Sequence, residues 1–167
     1  AIATDKSVLL PGGTASFANY SSYSRGINGL MIDIAGLPSG SLSASDFQFR
    51  VGNVNTPGSW ATAPAPASIV VRTGAGTGGS SRVEVVWADG AIKNQWLEVT
   101  VKATPATGLD YNDTFYFGNA IGESGNNPAN AIVDNLDVQG AQNNPRSAGN
   151  PAPITFAFDY NRDGLVN

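Results

Sequence analysis

The sequence predicts an all-β protein, an antiparallel, jelly-roll-like β-sandwich of about eight strands with a short calcium-loop and helix appendage at its C-terminal end. Three observations carry this. Short runs rich in β-branched and aromatic residues recur along the first 118 residues. Gly, Pro, Ser and Asn fill the connections between them. No stretch before residue 118 keeps a helical apolar period over three turns.

The elements follow in order. "SVLL" (7–10) stops at Pro11-Gly12-Gly13, and "TASFAN" (14–19) and "INGLMIDI" (27–34) come next. "DFQFRVG" (46–52) alternates Phe47, Phe49 and Val51 against Gln48 and Arg50, which puts the apolar set on one face. "SIVVRT" (68–73) and "RVEVVW" (82–87) are β-branched runs. "WLEVTV" (96–101) alternates again, and "TFYFG" (114–118) closes the set. Beyond Gly118 the texture changes to Asn, Gly and Pro, so the chain divides into a sandwich over 1–118 and a second segment over 119–167. In that segment Val133, Leu136 and Val138 stand near helical spacing behind Asp134, a capping residue, which predicts one helix over 134–143.

Composition excludes several chemistries. The chain has no cysteine and no histidine, so it holds no disulfide, no thiolate metal site and no Ser-His-Asp or Cys-His mechanism. Nine basic residues are scattered singly in a net charge of −4, which argues against nucleic acid as a partner. No apolar run approaches the roughly 18 residues that would span a membrane. The opening "AIATDKSVLL" lacks a signal peptide's charged leader and reads as a mature or internal start. The low charged share, 13%, with many Gly, Ser and Asn, fits an extracellular, secreted module.

The ending "FDYNRDGLVN" carries metal-site chemistry. Asp159, Asn161, Asp163 and Gly164 fall at the first, third, fifth and sixth places of a calcium loop. Leu165 would offer its carbonyl at the seventh place, and Asn167 sits at the ninth. Oxygen side chains at spacing two suit a hard cation, and the glycine supplies the sharp turn. Aligning Val133 with Val166 makes "AIVDNLD" (131–137) the second half of another such loop. Asp134 then matches Asn167, and Asp137 supplies the closing carboxylate. That first loop would begin near Asn119 and pass through Glu123, Asn126 and Asn130, with an insertion. Two such loops, each with a short helix, resemble a type I dockerin, and the stretches "FYFGNAIGESGNN" and "DYNRDGLVN" are similar to the module-plus-dockerin ends of large secreted bacterial proteins. The resemblance implies Ca2+ as the cofactor and a cohesin as a protein partner. "GINGLMIDI" resembles the cohesin sandwich itself, which implies that the module could instead receive a dockerin.

For the sandwich, aromatics in polar loops point to sugar, because pyranose rings stack on flat apolar faces. Tyr20 and Tyr23 sit in "NYSSYS", Trp60 in "TPGSWATAP" and Tyr111 in "GLDYND". Trp87 and Trp96 flank "ADGAIKNQ" and are expected to face each other near a hairpin end. "GLDYND" also offers Asp110, Asn112 and Asp113 as oxygen donors. Among the carboxylates Asp33, Asp46, Glu84, Asp89, Glu98, Asp110 and Asp113, none forms a distinguishable catalytic pair. The expectation is a non-catalytic module that binds polysaccharide.

Overall fold

A computed structural model describes residues 3–38 and 40–167. Among them lie eight strands and one α-helix: β1 (Tyr20–Ser21), β2 (Gly29–Ile34), β3 (Phe47–Gly52), β4 (Ala61–Thr62), β5 (Ser68–Arg72), β6 (Ser81–Val86), β7 (Trp96–Val101), β8 (Asp113–Asn119) and α1 (Asn135–Asn143). They form a five-stranded sheet in the order β1-β8-β7-β3-β4 and a three-stranded sheet in the order β2-β6-β5. All pairings are antiparallel except β1 with β8.

The period-two pattern decides which side chains meet. β7 sends Leu97, Val99 and Val101 into the core and is the central strand of the large sheet. Val83 and Val85 of β6 answer from the small sheet, both fully buried. Phe47 and Phe49 stack at 5.6 Å, and Trp87 meets Phe49 edge-on at 5.1 Å. One contiguous cluster therefore joins both sheets, which is a sandwich core.

The expected strands at 46–52, 68–73, 82–87, 96–101 and 114–118 match β3, β5, β6, β7 and β8 within one or two residues. Two others differ. Residues 7–10 make only a bridge, Leu9 with Tyr116. Residues 17–19 form a 3₁₀ turn, because the Asn19 side chain accepts the Ser16 N–H at 2.9 Å and curls the chain. The short strands β1 and β4 lie where the sequence reads as loop. Trp87 and Trp96 do not flank a hairpin. Trp87 follows β6 in the small sheet and Trp96 opens β7 in the large one, with buried Ile92 plugging the crossover between sheets.

The helix forms where expected. The Asp134 carboxylate accepts the Leu136 N–H at 2.7 Å, and Asp137 returns to accept the Asp134 N–H at 2.9 Å. Its buried side is not the apolar stripe. Val133, Leu136 and Val138 are 48%, 59% and 52% exposed, whereas Asp137 is 1% exposed. Gly140 brings the helix down onto the Phe158 ring, which would lie 2.4 Å from any Cβ placed there. The segment after β8 also bonds the sandwich directly, through Ser24 N–H to Tyr160 C=O at 2.7 Å and Arg162 to Ser22 Oγ at 3.2 Å. Among the described residues, no helix is long and apolar enough to cross a membrane.

Truncating the buried Leu97 side chain should open a cavity between the sheets. Leu97→Ala is expected to lower stability by about 2–5 kcal/mol, read from urea midpoints, while Val70→Ala on the exposed face stays within about 0.5 kcal/mol. Equal losses for the two would contradict this core assignment.

Candidate functional site

The outer face of the large sheet is set by the partners of the core residues. β7 turns Trp96, Glu98 and Thr100 outward, β3 turns Gln48, Arg50 and Gly52, and β8 turns Thr114, Tyr116 and Gly118. Glu98 lies between Arg50 and Tyr116 in register, and the guanidinium of Arg50 approaches it at 3.9 Å. Two strand glycines make room for two indoles. A Cβ on Gly52 would stand 2.4 Å from the Trp60 ring, and one on Gly118 would stand 3.2 Å from the Trp96 ring. Trp60 is pinned further by its indole N–H to the Val54 carbonyl at 2.8 Å and meets Tyr116 edge-on at 5.8 Å.

Trp96 opens onto a cavity of about 400 Å³. Tyr20 walls it, edge-on to Trp96 at 6.3 Å, and Asn53, Asn94 and Gln95 bring amides to its rim. The rim is built rather than loose. Asn53 donates to the Asn94 carbonyl at 2.9 Å, and the Asn94 side-chain oxygen accepts the Ile121 N–H at 2.9 Å. Asn94 takes a left-handed backbone, φ 51°, which asparagine tolerates better than most residues. The far wall, Ala120, Ile121, Ala131 and Val133, comes from the C-terminal segment.

The other predicted aromatics fall elsewhere. Trp87 is 2% exposed, its indole N–H bonded to the Pro64 carbonyl at 2.9 Å, so it is a core residue with no free ring face. Tyr20 is 5% exposed, a buried wall of the cavity rather than an open stacking face. Tyr23 is half-buried beside the small sheet and does not line the Trp96 cavity, although its carbonyl accepts from Asn119, which does. Tyr111 is 83% exposed in a turn where Asn112 Oδ1 accepts the Ala103 N–H at 2.8 Å. Tyr116, Asn53, Asn94 and Gln95 escaped the sequence reading. Glycines inside the strand patterns "FQFRVG" and "TFYFG" are the signal that could have pointed to the indoles packed over them.

The C-terminal segment buries three carboxylates, Glu123, Asp137 and Asp159, at 0%, 1% and 1% exposure. Asp159 Oδ2 accepts the Gly164 N–H at 2.9 Å, the closure from first to sixth place expected of a calcium loop, and Gly164 has φ 85°. Asn161 and Asp163 face each other across 2.9 Å, and Asp163 caps the Leu165 N–H at 2.8 Å. Asn167 is exposed. Val166 is buried and pairs with Arg146, whereas Val133 is exposed, so the two valines aligned by sequence occupy different environments. Asp137 Oδ1 accepts from Ser124 N–H at 2.8 Å and Ser124 Oγ at 2.6 Å. Glu123 Oε1 accepts the Gly125 N–H at 2.8 Å. Asp134 serves as the helix cap and also accepts from Asn126 at 3.2 Å. Asn119 works as a strut: its oxygen accepts the Asn94 N–H at 3.0 Å, and its amide donates to the Ser21 and Tyr23 carbonyls at 3.1 and 3.0 Å.

Calcium fits part of this arrangement. Among the described residues, Glu123 Oε2, Asp159 Oδ1 and the Tyr160 hydroxyl are buried with no hydrogen-bond partner. Orphaned carboxylate oxygens are the groups a hard cation takes up. Also among the described residues, no three acidic side chains converge enough to cage an ion alone. An ion at Asp159 would therefore draw on amide and carbonyl oxygens as well, such as those of Asn161 and Leu165.

Electrostatics mark the same region. Burial pushes the Glu123 carboxyl above its ordinary value; the Gly125 N–H opposes this and the Asp137 charge reinforces it. For Asp137 burial pushes the same way, but hydrogen bonds from Ser124 and Asp134 outweigh it and hold the group low. Burial, then the Glu123 and Asp137 charges, raises Tyr20 to about 12, and burial with the same charges raises Tyr160 to about 12. These two acids and two phenols thus share one low-dielectric region behind the Trp96 cavity.

No family model matches the chain, and neither a curated protein nor a solved structure matches it.

The Glu123 shift has a sign that can be measured. A carboxyl whose folded pKa is raised stabilises the fold fully below its unfolded value and loses that contribution as pH climbs through the folded pKa. In chelator, stability should therefore fall as pH rises above the ordinary glutamate value of 4.5, and Glu123→Gln should flatten that fall. Urea midpoints measured from acid to neutral pH check this. A variant as pH-sensitive as the natural chain over that range would refute the assignment.

Proposed function

We propose that the chain is a non-catalytic carbohydrate-binding module of a secreted, polysaccharide-acting multimodular protein, its dockerin-like C-terminal segment stabilised by calcium. The observation that carries the reading is the cavity where the Trp96 ring meets the amides of Asn53, Asn94 and Gln95. Sugars present apolar C–H faces and hydroxyl edges together. A half-buried indole covers the first, and amides, which donate and accept at once, match the second. The indole is held in place over Gly118, so little ordering cost falls on binding. Trp60 and Tyr116, further along the same sheet face, extend the surface toward a second sugar unit. The buried carboxylates behind Tyr20 support the calcium part, since an ion there would hold the C-terminal wall against the sandwich.

A second reading has its own support. The C-terminal segment already sits on the sandwich through Tyr160, Arg162 and Ser22, which favours a cohesin-like module that docks a dockerin-like segment. The amide-rimmed cavity has no role in that reading, so the first is preferred.

Affinity electrophoresis against a panel of polysaccharides tests the proposal. At least one should retard the natural chain, and Trp96→Ala should weaken that binding by about 2 kcal/mol, roughly thirtyfold. Tyr111→Ala, remote from the cavity, should bind as the natural chain does. Retardation by no polysaccharide, or equal retardation of the Trp96 variant, would defeat the reading.

A further inference from the structure

Backbone partners fix the direction of two amides at the Trp96 cavity. Asn53 Nδ2 donates to the Asn94 carbonyl at 2.9 Å, a bond only the nitrogen end can make, so Asn53 Oδ1 is left as an acceptor. Asn94 Oδ1 accepts the Ile121 N–H at 2.9 Å, a bond only the oxygen end can make, so Asn94 Nδ2 is left as a donor. Asn119 differs, because both ends of its amide are used inside the fold. Among the described residues, neither free end has a protein partner, and the Gln95 side chain has none either. The cavity therefore offers one fixed acceptor and one fixed donor.

The Asn94 side chain reaches the backbone of Ile121, so its free donor stands at the margin of the apolar wall. That wall is Ala120, Ile121, Ala131 and Val133, and Val133 lies over Gly122, 3.4 Å from any Cβ placed there. Among the described residues, no charged side chain lines the cavity. Its chemistry is thus an indole face, one acceptor, one donor and an apolar wall beside the donor.

Resting on the saccharide reading, we infer that the cavity takes an N-acetylhexosamine unit rather than a plain hexose or a uronic acid. An acetamido group carries one N–H, one C=O and one methyl on a single planar unit. Its N–H donates to Asn53 Oδ1, and its C=O accepts from Asn94 Nδ2. The methyl rests on Ile121 and Val133 while the pyranose ring stacks on Trp96. A plain hexose would bond the amides but turn hydroxyls to the apolar wall, where they lose water without gaining a partner. A uronate carboxylate only accepts, so it leaves Asn53 Oδ1 unpaired, and the lining supplies no counter-charge.

NMR titration of the full chain with the methyl glycosides of N-acetylglucosamine, N-acetylgalactosamine, glucose, galactose and glucuronic acid tests it. At least one acetamido sugar should shift the Trp96 indole N–H and the Asn94 side-chain amide, and should bind about tenfold more tightly than its plain hexose counterpart. Asn94→Asp keeps an oxygen for the Ile121 N–H and suits the left-handed backbone, but turns the free donor into an acceptor. It should weaken acetamido binding about tenfold and erase the preference. Should that variant misfold, the ranking of the glycosides on the natural chain decides alone. Plain hexosides or the glucuronide binding as tightly as the acetamido sugars, or a preference unchanged in Asn94→Asp, would overturn the inference and leave the saccharide reading standing. If no glycoside moves the Trp96 resonance the inference falls, and polysaccharide retardation in electrophoresis then shows whether the saccharide reading falls with it.

Discussion

Burying a carboxylate away from water is costly unless a counter-charge or several donors receive it. This chain does so three times in its last 45 residues, at Glu123, Asp137 and Asp159, and the internal order of the C-terminal segment depends on how those charges are met. Asp137 is met by N–H and hydroxyl donors from Ser124 and Asp134. Asp159 and Glu123 are each met on one oxygen only. Arg162 is close by, but its guanidinium goes to the Phe156 and Asp159 carbonyls and to Ser22 rather than to a carboxylate. The unsatisfied oxygens leave a requirement for positive charge that a divalent cation would fill.

The sandwich makes that segment matter for binding. Asn119 ends β8, ties β1 to it, and holds the Asn94 backbone, so the strand that carries Gly118 under Trp96 also leads straight into the acidic segment. One wall of the Trp96 cavity belongs to that segment. Loosening the segment would therefore open the cavity as well as lower stability, which links the ion to the proposed saccharide contact through packing alone.

Much of the fold was legible because two-residue alternation is a direct consequence of a half-buried strand. Leu97, Val99 and Val101 against Trp96, Glu98 and Thr100 announced both the element and its core face. The helix was legible through its Asp134 cap. Its packing was not, because the apolar spacing of Val133, Leu136 and Val138 competed with the demand of Asp137 for buried donors, and the carboxylate won the inner face. The sheet partners of Trp87 and Trp96 were hidden for a different reason. A connection of eight residues can close a hairpin or cross between sheets, and local sequence does not distinguish them until buried Ile92 is seen holding the crossover. Of the site, the acids were visible by spacing, while the amide rim depended on contacts between residues 41 and 27 positions apart.

The central claim is that a divalent ion completes the buried acidic segment, and thermal unfolding of the full chain in excess calcium against excess chelator tests it most directly. At a hundredfold excess over its dissociation constant the ion would add about 2.7 kcal/mol, which for a chain of this size raises the melting temperature by about 5–10 °C. That rise, absent in Asp159→Asn, is the predicted result. Superimposable melting curves with and without calcium would contradict the account.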